Sequence, residues 1–92
     1  MAYFDWNEEK DQKLKIEREI SFEEVMAAIE EGKLITVTKH PNAQKHPNQH
    51  ILIVNINNYA YVIPCLITNE KIFLKTIYPS REATKKYLVD KK

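Results

Sequence analysis

Hydrophobic positions along this chain follow two periods, about 3.6 residues up to Gly32 and two residues after it, and the change divides the chain into helices followed by strands. Tyr3-Phe4-Asp5-Trp6 is an aromatic cluster ahead of Asn7, a good N-cap, with Glu8 and Glu9 in the first turn where negative charge suits the helix dipole. A charged first helix over about Glu8 to Arg18 follows, with Leu14 as its one clear apolar anchor; it is read as a surface helix held by Trp6 and the segment after it. Ser21-Phe22-Glu23-Glu24 is a capping box that opens a second helix. Phe22, Val25, Met26 and Ile29 share one face of it. Gly32, the only glycine, stands where a left-handed C-terminal cap is needed.

From Leu34 the alternation predicts four strands: Leu34 to Thr38, His50 to Ile56, Tyr59 to Ile67 and Lys71 to Tyr78. His40-Pro41-Asn42 and His46-Pro47-Asn48 mark the loop after the first. Asn57-Asn58 suits the positive φ angles of a two-residue hairpin. Pro64 lacks an amide proton, so a bulge or an unpaired amide position is expected there. Pro79 ends the last strand, Ser80 caps a third helix, and Arg81 to about Val89 completes it. The fold class is α+β: two N-terminal helices, a four-stranded antiparallel sheet and a C-terminal helix, with the helices on one face.

Length and composition narrow this to one domain over residues 1–92, since 43% hydrophobic residues supply one core and not two. No apolar run approaches the roughly 20 residues that cross a bilayer, and Met1 to Lys10 is charged where a signal peptide is apolar. A cytoplasmic protein without membrane contact is expected. A lone Cys65 agrees with a reducing compartment and reads as a small buried hydrophobe.

Charge changes the picture more. The formal net charge of +1 conceals a division after Gly32: four basic against ten acidic residues before it, a balance of −6, and ten basic against three acidic after it, a balance of +7. A basic half attracts a polyanion or an acidic protein, whereas the acidic half opposes indiscriminate coating of nucleic acid. Ordinary solvated surface is the competing account.

Candidate chemistry is sparse. His40, His46 and His50 lack the carboxylate or thiolate partners of a zinc site, and no metal is expected. A single glycine leaves no phosphate-binding loop, so no nucleotide cofactor is expected either. The strongest constellation is Lys75, Tyr78, Ser80, Arg81, Lys85, Lys86 and Tyr87, where the last strand meets the last helix. RNA cleavage needs a base for the 2′-hydroxyl, charge to stabilise the transition state and an acid for the leaving oxygen, which Arg, Lys, Tyr and His supply without metal. Arg81 is the best phosphate clamp of the set. The same residues also read as a basic helix paired with the acidic N-terminal helices.

Phe4-Asp5-Trp6-Asn7 ahead of a charged helix, Ile20-Ser21-Phe22-Glu23-Glu24, and Ile77-Tyr78-Pro79-Ser80-Arg81-Glu82-Ala83-Thr84 after the sheet together resemble the BrnT-like toxins of bacterial type II toxin–antitoxin systems. The likeness runs over nearly the whole chain. It implies a RelE-like fold and a ribonuclease that arrests translation, neutralised by a small antitoxin, often of ribbon-helix-helix type, through which alone DNA is contacted. It matches Arg81 to the arginine of the family's S-A-R motif and puts Lys75 near a basic position on the last strand. The expected catalytic residues are then Lys75, Arg81 and His50, with Lys85, Lys86, Tyr78 and Tyr87 binding RNA. Where many relatives read K-H-G before the second helix, this chain has Arg18-Glu19-Ile20, without that histidine and glycine. The alternative is a non-catalytic module that binds protein or RNA.

Overall fold

The computed structural model describes residues 3–39, 41–42 and 44–89. In chain order they form β1 (Tyr3–Trp6), α1 (Glu8–Arg18), α2 (Phe22–Glu30), β2 (Leu34–Lys39), β3 (Gln49–Ile56), β4 (Tyr59–Ile67), β5 (Lys71–Leu74), β6 (Tyr78–Pro79) and α3 (Arg81–Thr84). A π-helical turn over Lys85–Val89 continues α3. This is the expected α+β order of two helices, a mostly antiparallel sheet and a C-terminal helix. No helix of the described residues is long and apolar enough to cross a membrane.

Local chemistry sets the element ends. The Asn7 side chain accepts the Lys10 amide at the start of α1. At α2 the Ser21 hydroxyl accepts the Glu24 amide while the Glu24 carboxylate accepts the Ser21 amide, the full reciprocal box. Past its end, Lys33 N–H returns to the Ala28 carbonyl and Gly32 N–H to that of Ile29, with Gly32 at φ +83°, which is the Schellman arrangement. Asn57 and Asn58 take φ +56° and +64°, as a hairpin matched to the strand twist requires. Glu19 closes α1 in the left-handed region, at φ +55°, where a side chain is strained.

The sheet runs β1-β5-β4-β3-β2, with β6 also on β4. The four expected strands are present as an antiparallel series, and two features extend it. Tyr3–Trp6, read from sequence as an aromatic cluster, is an edge strand parallel to β5, with Trp6 opposite Leu74. The last strand is broken in two. Leu74 pairs with Cys65 and Tyr78 with Val62, so residues 75–77 oppose only 63 and 64, one residue too many for a regular ladder. The irregularity expected at Pro64 therefore falls on the strand beside it. Pro64 keeps its place opposite Ile51, and its carbonyl accepts the Lys75 amide at 2.9 Å. A second register shift lies between Leu34 and Thr36 of β2.

Because β1 and β2 are the two outer strands, α1 and α2 must carry the chain across the whole sheet, and they do so over one face. Leu14, Ile20, Phe22, Val25 and Ala28 from this layer meet Leu52, Val54, Ile63, Cys65, Leu74 and Ile77 in one core. Trp6 stacks on Phe22, with ring centroids 5.6 Å apart. The third helix departs from the expected single layer. Ser80 N–H donates to the Ala60 carbonyl and Ala60 N–H to the Thr84 hydroxyl, fastening α3 to the edge of β4, with Ala83 and Thr84 buried outside the main core.

Asp11 joins the two helices. Its carboxylate is buried at 3% exposure, accepts the Phe22 amide at 2.9 Å and lies 3.3 Å from Lys15. Phe22 is the first residue of α2, so the negative charge also sits at the positive end of that helix. Asp11→Ala leaves the Phe22 amide buried without a partner and is expected to cost about 2 kcal/mol, with Asp11→Asn losing less because its carbonyl still accepts. Urea denaturation of the two variants checks this. In the same assay Glu19→Gly is expected to raise stability by up to about 1 kcal/mol, as relief of left-handed strain exceeds the added freedom of the unfolded chain.

Candidate functional site

Three successive backbone contacts set out the basic residues along one edge of β4. Lys75 binds Pro64, Tyr78 pairs with Val62, and Ser80, next to Arg81, binds Ala60. Alternate residues of a strand are about 7 Å apart, so Lys75, Tyr78 and the start of α3 form a line about 14 Å long. The extra residue among positions 75–77 keeps this line in step with β4. Lys75 and Arg81 are exposed, as are Lys85 and Lys86 on the following turn, and Tyr78 is 40% exposed. Among the described residues none of these four cations makes an ion pair. Lys86 lies over the half-buried Tyr87 ring, 5.3 Å from its centroid.

Ser80 works locally at this junction. Its hydroxyl accepts the Ala83 amide at 3.0 Å and caps α3, while its own carbonyl accepts from the Thr84 hydroxyl at 2.8 Å. Arg81 thus begins a short helix whose start is fixed at both cap and strand. The structure adds Arg18, which sequence spacing had no means of joining to this region from 59 residues away. Its guanidinium donates to the Ile77 carbonyl, linking the end of α1 to the break between β5 and β6.

His50 is elsewhere. It pairs with Cys65 at the far end of β4, five residues from Ala60 and so about 17 Å along the strand from the Arg81 end. Alternation with Leu52 and Val54 also puts it on the core side of the sheet, whereas Tyr78 shares the opposite side with Val62. One phosphate cannot contact both His50 and Arg81. The His50 Nδ1 lies 3.3 Å from the Asn48 carbonyl. His46 lies 3.2 Å from Gln49 Nε2. His40 and the Lys91-Lys92 tail lie outside the described residues, among which no group of His, Cys, Asp and Glu could hold a metal.

The acidic helices do not neutralise the basic edge. Of the two ion pairs among the described residues, Lys15 with Asp11 lies inside α1, and Lys71 with Asp5 joins β5 to β1. Neither involves α3. The paired-helix account of the C-terminal charge therefore fails for those residues.

Cys65, beside His50, is fully buried, and that burial pushes its thiol up from 9.0 to about 11 against a smaller opposing effect of a hydrogen bond from the His50 backbone. Below pH 9 both folded and unfolded chains hold this proton. Between pH 9 and 11 the unfolded chain releases it first, so the folded state binds more protons and stability falls as pH rises. The loss from this group reaches about 3 kcal/mol once both states are deprotonated. Denaturation at stepped pH, compared with Cys65→Ala, should show the extra downward slope in the parent alone.

No family model, curated protein or solved structure matches this chain.

Proposed function

We propose that this chain is a BrnT-like ribonuclease toxin with a RelE-like fold, acting in the cytoplasm on RNA without a metal or cofactor and neutralised by a small antitoxin through which DNA is contacted. The observation that carries the reading is the unpaired, exposed Arg81 guanidinium at the start of α3, in line with Tyr78 and Lys75. It stands inside the stretch Ile77 to Thr84 on which the family resemblance rests.

In such a cleavage the 2′-hydroxyl attacks the adjacent phosphorus, the bond to the 5′-oxygen breaks, and a cyclic phosphate is left. A base removes the 2′ proton and an acid protonates the departing oxygen. Arg81 holds the phosphate oxygens as charge grows on them, in the bidentate manner a lysine cannot reproduce. Lys75 and Tyr78 are the neighbouring groups able to transfer protons, and Lys85 and Lys86 extend the cationic track for the strand.

The second reading, a non-catalytic module that binds RNA or protein, is favoured by two observations. His50 stands away from Arg81, and Arg18, in the stretch where relatives have a histidine, is engaged with the Ile77 carbonyl. Among the described residues that leaves the edge without an imidazole.

The deciding experiment incubates a defined RNA with the partner-free protein in chelator, beside Arg81→Ala checked for folding by circular dichroism. Cleavage by the parent, reduced about 100-fold or more in the folded variant, is the expected result. Salt-sensitive binding without cleavage by either protein would replace the nuclease with the binding module.

A further inference from the structure

The sheet has a second broad face, which α1 and α2 do not cover. In β3, β4 and β5 the core takes Leu52, Val54, Ile63, Cys65 and Leu74, so alternation turns Ile51, Ile53, Val62, Pro64, Leu66 and Phe73 the other way. Register joins them into one patch: Ile51 is opposite Pro64, Ile53 opposite Val62, and Leu66 opposite Phe73. Val62 is buried towards α3, while the other five keep part of their surface in solvent. Contiguous apolar surface of this kind marks an interaction site more often than idle surface.

Its margin is basic. Lys71 lies 5.6 Å from the Phe73 ring centroid, Lys75 adjoins Pro64 through its amide, and Arg81 and Lys85 follow beyond Tyr78. Asp5, opposite Phe73, is already paired with Lys71 at 3.2 Å. We propose that this outer sheet face docks an acidic amphipathic helix of a partner protein, with its apolar stripe on Ile51, Ile53, Pro64, Leu66 and Phe73 and its carboxylates along Lys75 and Arg81.

Shape and charge select that occupant. Three adjacent strands are about 10 Å across, close to the width of one helix. A symmetric contact with a second copy would set the patch against itself, and the patch residues offer the lysine margin no charge of opposite sign. RNA-binding sheets put aromatic rings at their centre for bases to stack on, whereas the centre here is aliphatic. A helix seated on this face would also cover Tyr78 and Lys75. The proposal does not rest on the ribonuclease reading, and RNA cleavage plays no part in its test.

The probes are two synthetic peptides of equal length and composition, rich in Leu and Glu. One has its leucines at helical spacing on one face, and the other is scrambled. Amide shifts by NMR and fluorescence anisotropy report binding to the full chain. The patterned peptide should bind with shifts centred on β3, β4 and β5, and the scrambled one should not. Ile53→Ser and, separately, Lys75→Glu should each weaken binding about tenfold, with the fold of each variant retained by circular dichroism at the assay temperature. Lys75 is exposed, so its variant does not depend on repacking. Four results would overturn the proposal: no binding by either peptide, equal binding by both, binding indifferent to both substitutions, or dimerisation of the protein alone that Ile53→Ser abolishes. The last assigns the face to a second copy.

Discussion

The Asp11 carboxylate accepts the Phe22 amide in a place water does not reach, and the helical layer depends on that bond. The first amides of a helix have no partner within it, and here another helix supplies the acceptor for one of them. A charge-assisted bond of this kind contributes about 1.5–3 kcal/mol and fixes α1 against the start of α2. Phe22 is thereby held in the core under Trp6, and Trp6 belongs to the strand that pairs with β5. One buried carboxylate thus connects the crossing of the two helices to the pairing of an edge strand. Lys15 offsets part of its charge from the solvent side.

The same crossing separates the charges in space. Glu8, Glu9, Glu17, Glu23, Glu30 and Glu31 are exposed on the helices, while Lys75, Arg81, Lys85 and Lys86 are exposed along and beyond the β4 edge. At ordinary salt, attraction between exposed charges fades over about 10 Å, comparable to the thickness of the helical layer. The exposed carboxylates of the helices and the exposed cations of the β4 edge therefore stand as two surfaces of opposite character.

Pro64 shows how one residue shapes the edge that carries those cations. It has no amide to give the neighbouring strand, and that strand answers by spending an extra residue in passing it. The break frees Ile77, whose side chain enters the core and whose carbonyl takes Arg18. Pairing resumes at Tyr78, and the chain reaches Ser80 in register with Ala60. The position of Arg81 follows from that recovery of register.

Much of the fold was legible in the sequence wherever the cause is local. The Ser21–Glu24 box, the left-handed Gly32 and the Asn57-Asn58 hairpin all act within a few residues, and each is realised. Alternation likewise located β2 to β5, because a strand with one buried face must repeat every two residues. The line from Lys75 to Arg81 was partly visible for the same reason, as those residues are neighbours along the chain. Contacts between distant segments had no such signature. Tyr3–Trp6 is a strand only because β5 is there to pair with it, and Asp11 is buried only because Phe22 arrives above it. His50 looked like a companion of Arg81 by residue type, yet the register of β3 on β4 sets it at the other end of the sheet. Composition and spacing determined the two N-terminal helices with their caps, the central strands and the Asn57-Asn58 turn; long-range pairing made Tyr3–Trp6 a strand, broke the last strand after Leu74, and through strand order and register decided which side chains meet.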